Sequence, residues 1–65
     1  MKPQVNDVVR LLDDIPSESL FKGDLGTIVA VFFEPEEAYE VEFCTDDGRT
    51  LAQLALQPTQ FVVAT

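Results

Sequence analysis

Apolar and polar residues alternate most regularly between Tyr39 and Cys44. Tyr39, Val41 and Phe43 fall on one parity, and Glu40, Glu42 and Cys44 on the other. A period of two is the signature of a strand with one face buried. The stretch before it, Leu25 to Phe33 or Glu34, is apolar on both parities, which predicts a strand buried on much of both faces that bends through the centre of the fold. Gly23 and Gly26 flank Asp24-Leu25 and predict a tight turn launching that strand, since glycine tolerates positive φ and lets backbones approach closely. Glu34-Pro35-Glu36-Glu37 ends it with a proline and three acids that must stay hydrated, so the two strands form a hairpin.

The remaining segments are shorter. Val5 to Leu12 reads as a first strand with Val9 and Leu11 inward. Asp13 to Ser19 carries turn formers and Pro16, which predicts an irregular loop pinned to the core by Ile15 and Leu20. Within it, Ser17 is placed to cap a single helical turn over Ser17–Leu20. Asp46-Asp47-Gly48 predicts a second hairpin with Gly48 left-handed. Arg49 to Leu56 follows as a strand with Ala52, Leu54 and Leu56 on one face and Leu51, Gln53 and Ala55 on the other. Gln57 to Gln60 predicts one helical or 3₁₀ turn before a closing strand at Phe61–Val63.

Five short strands, a long first loop, two tight hairpins and one helical turn before the last strand describe an all-β fold. The expected architecture is a small five-stranded SH3-like barrel formed by residues 1–65 as a single domain. Its expected core is Val9, Leu11, Ile28 or Val29, Val31, Val41, Phe43, Leu54, Leu56 and Phe61, with the parity of the second strand left open.

Charge changes the picture more than composition does. The 65-residue chain is 46% apolar, normal for a globular protein. Four Lys/Arg against twelve Asp/Glu give a net charge of −8. Nucleic acids are bound chiefly by cationic side chains that release counterions, so a nucleic-acid partner is excluded, and anionic membrane surfaces are disfavoured for the same reason. The acids either supply solubility or steer a basic partner. Crowded carboxylates on so small a surface are expected to have folded pKa values raised above the unfolded ones, with salt raising the melting temperature. No apolar run approaches the roughly 18 residues of a membrane span, and the N-terminal residues lack the pattern of a signal peptide. Cys44 is the single cysteine, which suits a reducing, cytoplasmic setting.

Candidate chemistry is sparse. The chain has no histidine, the usual general base near neutral pH. Cys44 has no activating imidazole and sits near acids, which favours the neutral thiol. Gly23-Asp24-Leu25-Gly26 lacks the Lys-Ser/Thr and helix of a phosphate loop. The acids Asp13-Asp14 and Asp46-Asp47 lack the loop of a calcium hand. The expectation is therefore no enzyme, no cofactor and no metal. What remains is surface. Phe32 is expected to point outward with Phe21 of the long loop beside it, ringed by Glu34, Glu36, Glu37 and Glu40 as a partner-binding patch; the competing reading has both phenylalanines capping the ends of the barrel.

Taken together, Asp7-Val8-Val9, Lys22-Gly23-Asp24-Leu25-Gly26-Thr27, Tyr39-Glu40-Val41-Glu42-Phe43, Asp47-Gly48-Arg49-Thr50 and Leu54-Ala55-Leu56 resemble a family of short bacterial proteins, common in cyanobacteria, catalogued as domain of unknown function 4926. The resemblance runs from about Val5 to Phe61. It implies a stand-alone small module, lends no catalytic residues, and suggests one member of a two-gene unit with an antitoxin- or immunity-type role. The functional expectation is a non-catalytic acidic protein-binding module, antitoxin-like or a small regulatory partner of a basic protein, with an accessory structural subunit of a larger assembly as the alternative. The chain is expected to be a monomer or a weak homodimer, the latter through an exposed edge strand.

Overall fold

The computed structural model describes residues 2–64. Its strands are β1 (Val8–Leu11), β2 (Leu25–Phe32), β3 (Ala38–Cys44), β4 (Thr50–Leu56) and β5 (Phe61–Val63), with 3₁₀ turns at Pro16–Glu18 and Pro58–Gln60. All are antiparallel neighbours in one sheet of order β4-β3-β2-β1-β5. The fold is all-β, as the alternation predicts. Among the described residues no ladder joins β4 to β5, so the sheet curls around one core without closing.

The core is the inward parity of every strand: Val9 and Leu11 of β1, Ile28 of β2, Tyr39, Val41 and Phe43 of β3, Ala52 and Leu56 of β4, and Phe61 of β5, with Leu20 from the long loop. Val31 and Leu54, expected at the centre, are only partly buried against it. Tyr39 packs edge-on to Phe61 with ring centroids 5.4 Å apart, a favoured aromatic geometry.

The parity of β2 is decided by a bulge. Ile28 pairs with Val41 and Ala30 with Glu40, so Val29 is an extra residue without a partner on β3. An inserted residue shifts the alternation by one. Ile28 is therefore buried before the bulge and Val31 turns inward after it, while Val29 and Phe32 are exposed. This explains why β2 reads as apolar on both parities.

Gly23 and Gly26 have different tasks. The turn is Phe21–Asp24, closed by the Asp24 N–H donating to the Phe21 carbonyl at 2.9 Å. Gly23 occupies its third position at φ +94°, where a side chain is disfavoured. Gly26 is not part of that turn. It lies inside β2, where a Cβ would stand 2.6 Å from Val41 Cγ1 and 2.8 Å from Phe43 Cε2. The second hairpin follows the expectation: the Gly48 N–H donates to the Thr45 carbonyl at 2.9 Å, and Gly48 is left-handed at φ +88°.

The long loop is pinned to the core as predicted, with Leu20 buried in it and Ile15 packed against it, and a bridge joins the two residues. Its helical turn differs, running over Pro16–Glu18 without a side-chain cap. Ser17 falls inside that turn instead of capping it, because Pro16, with its fixed φ, starts the turn one residue earlier.

Candidate functional site

The sequence-predicted patch divides between the two ends of β2. Phe32 is the last residue of the strand, pairs with Ala38 and points to the outer face of the sheet at 47% exposure. Glu40 pairs with Ala30 on the same face, which makes it the diagonal cross-strand neighbour of Phe32, about 7–8 Å away. Glu34 and Glu36 are exposed in the turn that follows, which contains a cis peptide at Glu34–Pro35. These four residues therefore share one end of the molecule.

Phe21 does not join them. It belongs to the turn that precedes Leu25, and β2 is eight residues long, about 26 Å at the strand rise. Phe21 is exposed at the far end. The expectation that it lies beside Phe32 fails because a strand keeps residues before and after it a full strand length apart. The aromatic neighbour that the sequence pattern did not single out is Phe33, 57% exposed immediately after β2. Alternation alone would turn Phe33 inward, opposite to Phe32; it is exposed because β2 ends at Phe32 and Phe33 already belongs to the turn that leads into Glu34–Pro35. The Lys2 ammonium stands 6.0 Å from the centre of the Phe33 ring.

Glu37 has a different role from its acidic neighbours. Its carboxylate accepts a hydrogen bond from the hydroxyl of buried Tyr39 and another from Lys2 Nζ at 3.2 Å. Those hydrogen bonds, Tyr39 first, hold the Glu37 carboxyl below its usual range. Burial, reinforced by the Glu37 carboxylate, pushes the Tyr39 phenol up to about 12. Glu37 thus ties the end of the hairpin to the core and to the N-terminal segment. Glu40 accepts from Gln53 Nε2 at 3.3 Å, and Glu42 from the Thr50 hydroxyl at 2.8 Å.

Two carboxylates run against the expected upward drift. Glu37 and Asp47 are both lowered. Asp47 is held down by the Thr45 hydroxyl first and by hydrogen bonds from Arg49 after it. Local donors outweigh the diffuse repulsion because hydrogen bonds act at contact distance, whereas repulsion between exposed acids is screened by water and salt.

At the opposite end, a groove of about 400 Å³ opens among Leu20, Asp24, Leu25, Phe43, Cys44 and Leu51. Asp24 is already engaged, accepting from the Phe21 N–H at 2.9 Å. The exposed Cys44 thiol lines this groove together with the Asp24 and Asp46 carboxylates. Among the described residues, no group of three or more His, Cys, Asp or Glu side chains is placed to hold a metal ion. No helix of the described residues is long and apolar enough to cross a membrane.

Comparison with curated proteins and with solved structures found no match. A family model, by contrast, covers residues 5–63, from the segment before β1 to the last residue of β5. The strands, both glycine-bearing turns and the outer patch all fall within that span, and the chain belongs to the family described as Domain of unknown function (DUF4926).

Proposed function

We propose that this protein is a non-catalytic binding module that docks a basic protein partner through the end of the sheet formed by Phe32, Phe33, Glu34, Glu36 and Glu40. The observation that carries the reading is the pair of adjacent exposed phenylalanines beside uncompensated carboxylates. Among the described residues, the ion pairs are Lys2–Glu37 and Arg49–Asp47, and neither uses Glu34, Glu36 or Glu40. Exposed aromatics inside a charged rim concentrate binding energy, and a net charge of −8 accelerates encounter with a cationic surface. Phe21, at the far end of β2, is outside this patch, and Glu37 supports it from within.

The same reading extends to architecture and setting. The strand order, the long first loop and the 3₁₀ turn before β5 support an SH3-like barrel that is open between β4 and β5. An exposed, unpaired Cys44 suits the reducing cytoplasm. An antitoxin-like or regulatory role fits a small acidic binder of this kind.

The experiment is an affinity capture from the native host with wild type and with a Phe32→Ala/Phe33→Ala variant, followed by association kinetics with the captured protein. A basic protein held by wild type, lost from the variant through faster dissociation and bound more slowly at higher salt, supports the proposal. Equal capture by both proteins, or binding insensitive to salt, overturns it.

A further inference from the structure

The acids of this chain are confined to its first 47 positions, and after Arg49 no Asp, Glu, Lys or Arg occurs. Those uncharged residues build both edges of the sheet, β4 and β5. Edge strands expose unpaired backbone N–H and C=O groups, and proteins ordinarily blunt them with charges, proline, bulges or shortness. The edge at β5 is only three residues long. The edge at β4 is seven residues long, Thr-Leu-Ala-Gln-Leu-Ala-Leu, with neither charge nor proline. Its one irregularity is at the start: Phe43 pairs with Ala52 and Cys44 with Thr50, leaving Leu51 as an extra residue. Ala52 to Leu56 remains as a regular, unguarded edge.

We propose that β4 pairs antiparallel with β4 of a second copy of this chain, about a two-fold axis at Leu54. That register sets Leu54 opposite Leu54, Ala52 opposite Leu56 and Gln53 opposite Ala55. It is self-complementary, as a two-fold interface requires. Ala52 and Leu56 are buried in the single chain, but Leu54 between them is only partly buried on the same face. A second Leu54 across the axis covers the exposed remainder.

Charge selects the occupant. Elsewhere on this acidic surface two copies repel, and a basic partner gains nothing from an uncharged strand. Across β4 the nearest acids are Glu40 and Glu42 on β3, paired with Ala55 and Gln53. In the dimer the two β3 strands lie three strand spacings apart, about 14 Å. That exceeds the screening length of about 8 Å at physiological salt. Glu40 and Glu42 are also held by Gln53 and Thr50 of their own chain.

The test is sedimentation of the full chain at physiological salt, with the variant Gln53→Lys/Ala55→Lys. In the dimer those substitutions put lysine directly opposite lysine twice, whereas in the single chain each lysine lies beside Glu42 or Glu40. Wild type is expected to rise with concentration from 7.2 kDa to twice that mass. The variant should stay at the monomer mass with an unchanged far-UV spectrum and a melting temperature that does not depend on concentration, whereas that of wild type rises with it. Amide exchange along β4 should slow in wild type as the concentration rises. A wild type that remains monomeric up to about 1 mM overturns the proposal and leaves the edge to a strand from another protein. A folded variant that dimerises as wild type does overturns the register and with it the proposal.

Discussion

Replacing Gly26 with alanine tests the glycine against which the core packs most closely. The added Cβ would meet Val41 Cγ1 at 2.6 Å, Phe43 Cε2 at 2.8 Å and Phe43 Cδ2 at 2.9 Å. None of these is the loose end of a flexible surface chain, because Val41 and Phe43 are 0% and 1% exposed in the core. Overpacking of this kind costs about 1–3 kcal/mol, and three short contacts against two immobile side chains put Gly26→Ala at about 3 kcal/mol. A 65-residue domain has about 3–10 kcal/mol in total, so the variant stands near the limit of folding. Its melting temperature should fall by about 12–24 °C.

Gly23→Ala is the control. Nothing lies within 4 Å of a Cβ there, so only the positive φ is penalised, at about 1–2 kcal/mol. The assay is urea and thermal unfolding followed by far-UV dichroism and by the fluorescence of Tyr39, the single tyrosine in a chain without tryptophan. A further variant, Gly26→Ala/Val41→Ala, removes the nearest clashing methyl and gives the Phe43 ring room to shift. The double variant should be more stable than the two single losses predict by about 0.5–3 kcal/mol. A Gly26→Ala protein that melts within about 4 °C of wild type, or costs that simply add, would refute the close-packing argument.

Two further outcomes follow from the electrostatics. Because the folded Tyr39 phenol is pushed up to about 12 from its ordinary 10.0, the associated stability is fully present below pH 10 and lost as pH rises from about 10 to 12. Wild type should unfold in step with tyrosinate absorbance in that window, and Tyr39→Phe should hold its fold further into the alkaline range at a cost of about 1 kcal/mol at neutral pH; a tyrosine that titrates at its ordinary value with the fold intact contradicts this. Added sodium chloride should raise the melting temperature, since the net charge is −8 and only two ion pairs oppose it among the described residues, Arg49–Asp47 exposed and Lys2–Glu37 partly so, and a fall would show that those two pairs outweigh the general repulsion.

The strands themselves were legible in the chain because their evidence is local. Tyr39, Val41 and Phe43 share one parity and are all buried, as are the inward residues Val9 and Leu11, and Gly48 takes the left-handed conformation its hairpin requires. Alternation and turn chemistry act over a few residues, and they set which segments extend and which face each turns inward. The two phenylalanines of the expected patch show the limit of such evidence. Phe32 could be assigned outward, yet its distance from Phe21 depends on the course of the chain between them.

What the tertiary structure decided are contacts between segments remote in sequence. The bulge at Val29 depends on the register of β2 against β3, and no apolar count within β2 reveals it. The confinement of Gly26 comes from Val41 and Phe43 on the neighbouring strand, so a residue that reads as part of a turn proves to be a packing site. Glu37 reads like its acidic neighbours, and only the approach of the Tyr39 hydroxyl and Lys2 separates it from them. Whether β4 is an interior strand or an open edge is likewise a property of sheet order. Local backbone preferences fix the elements within this chain, whereas register, edges and the partners of its acids arise from long-range pairing.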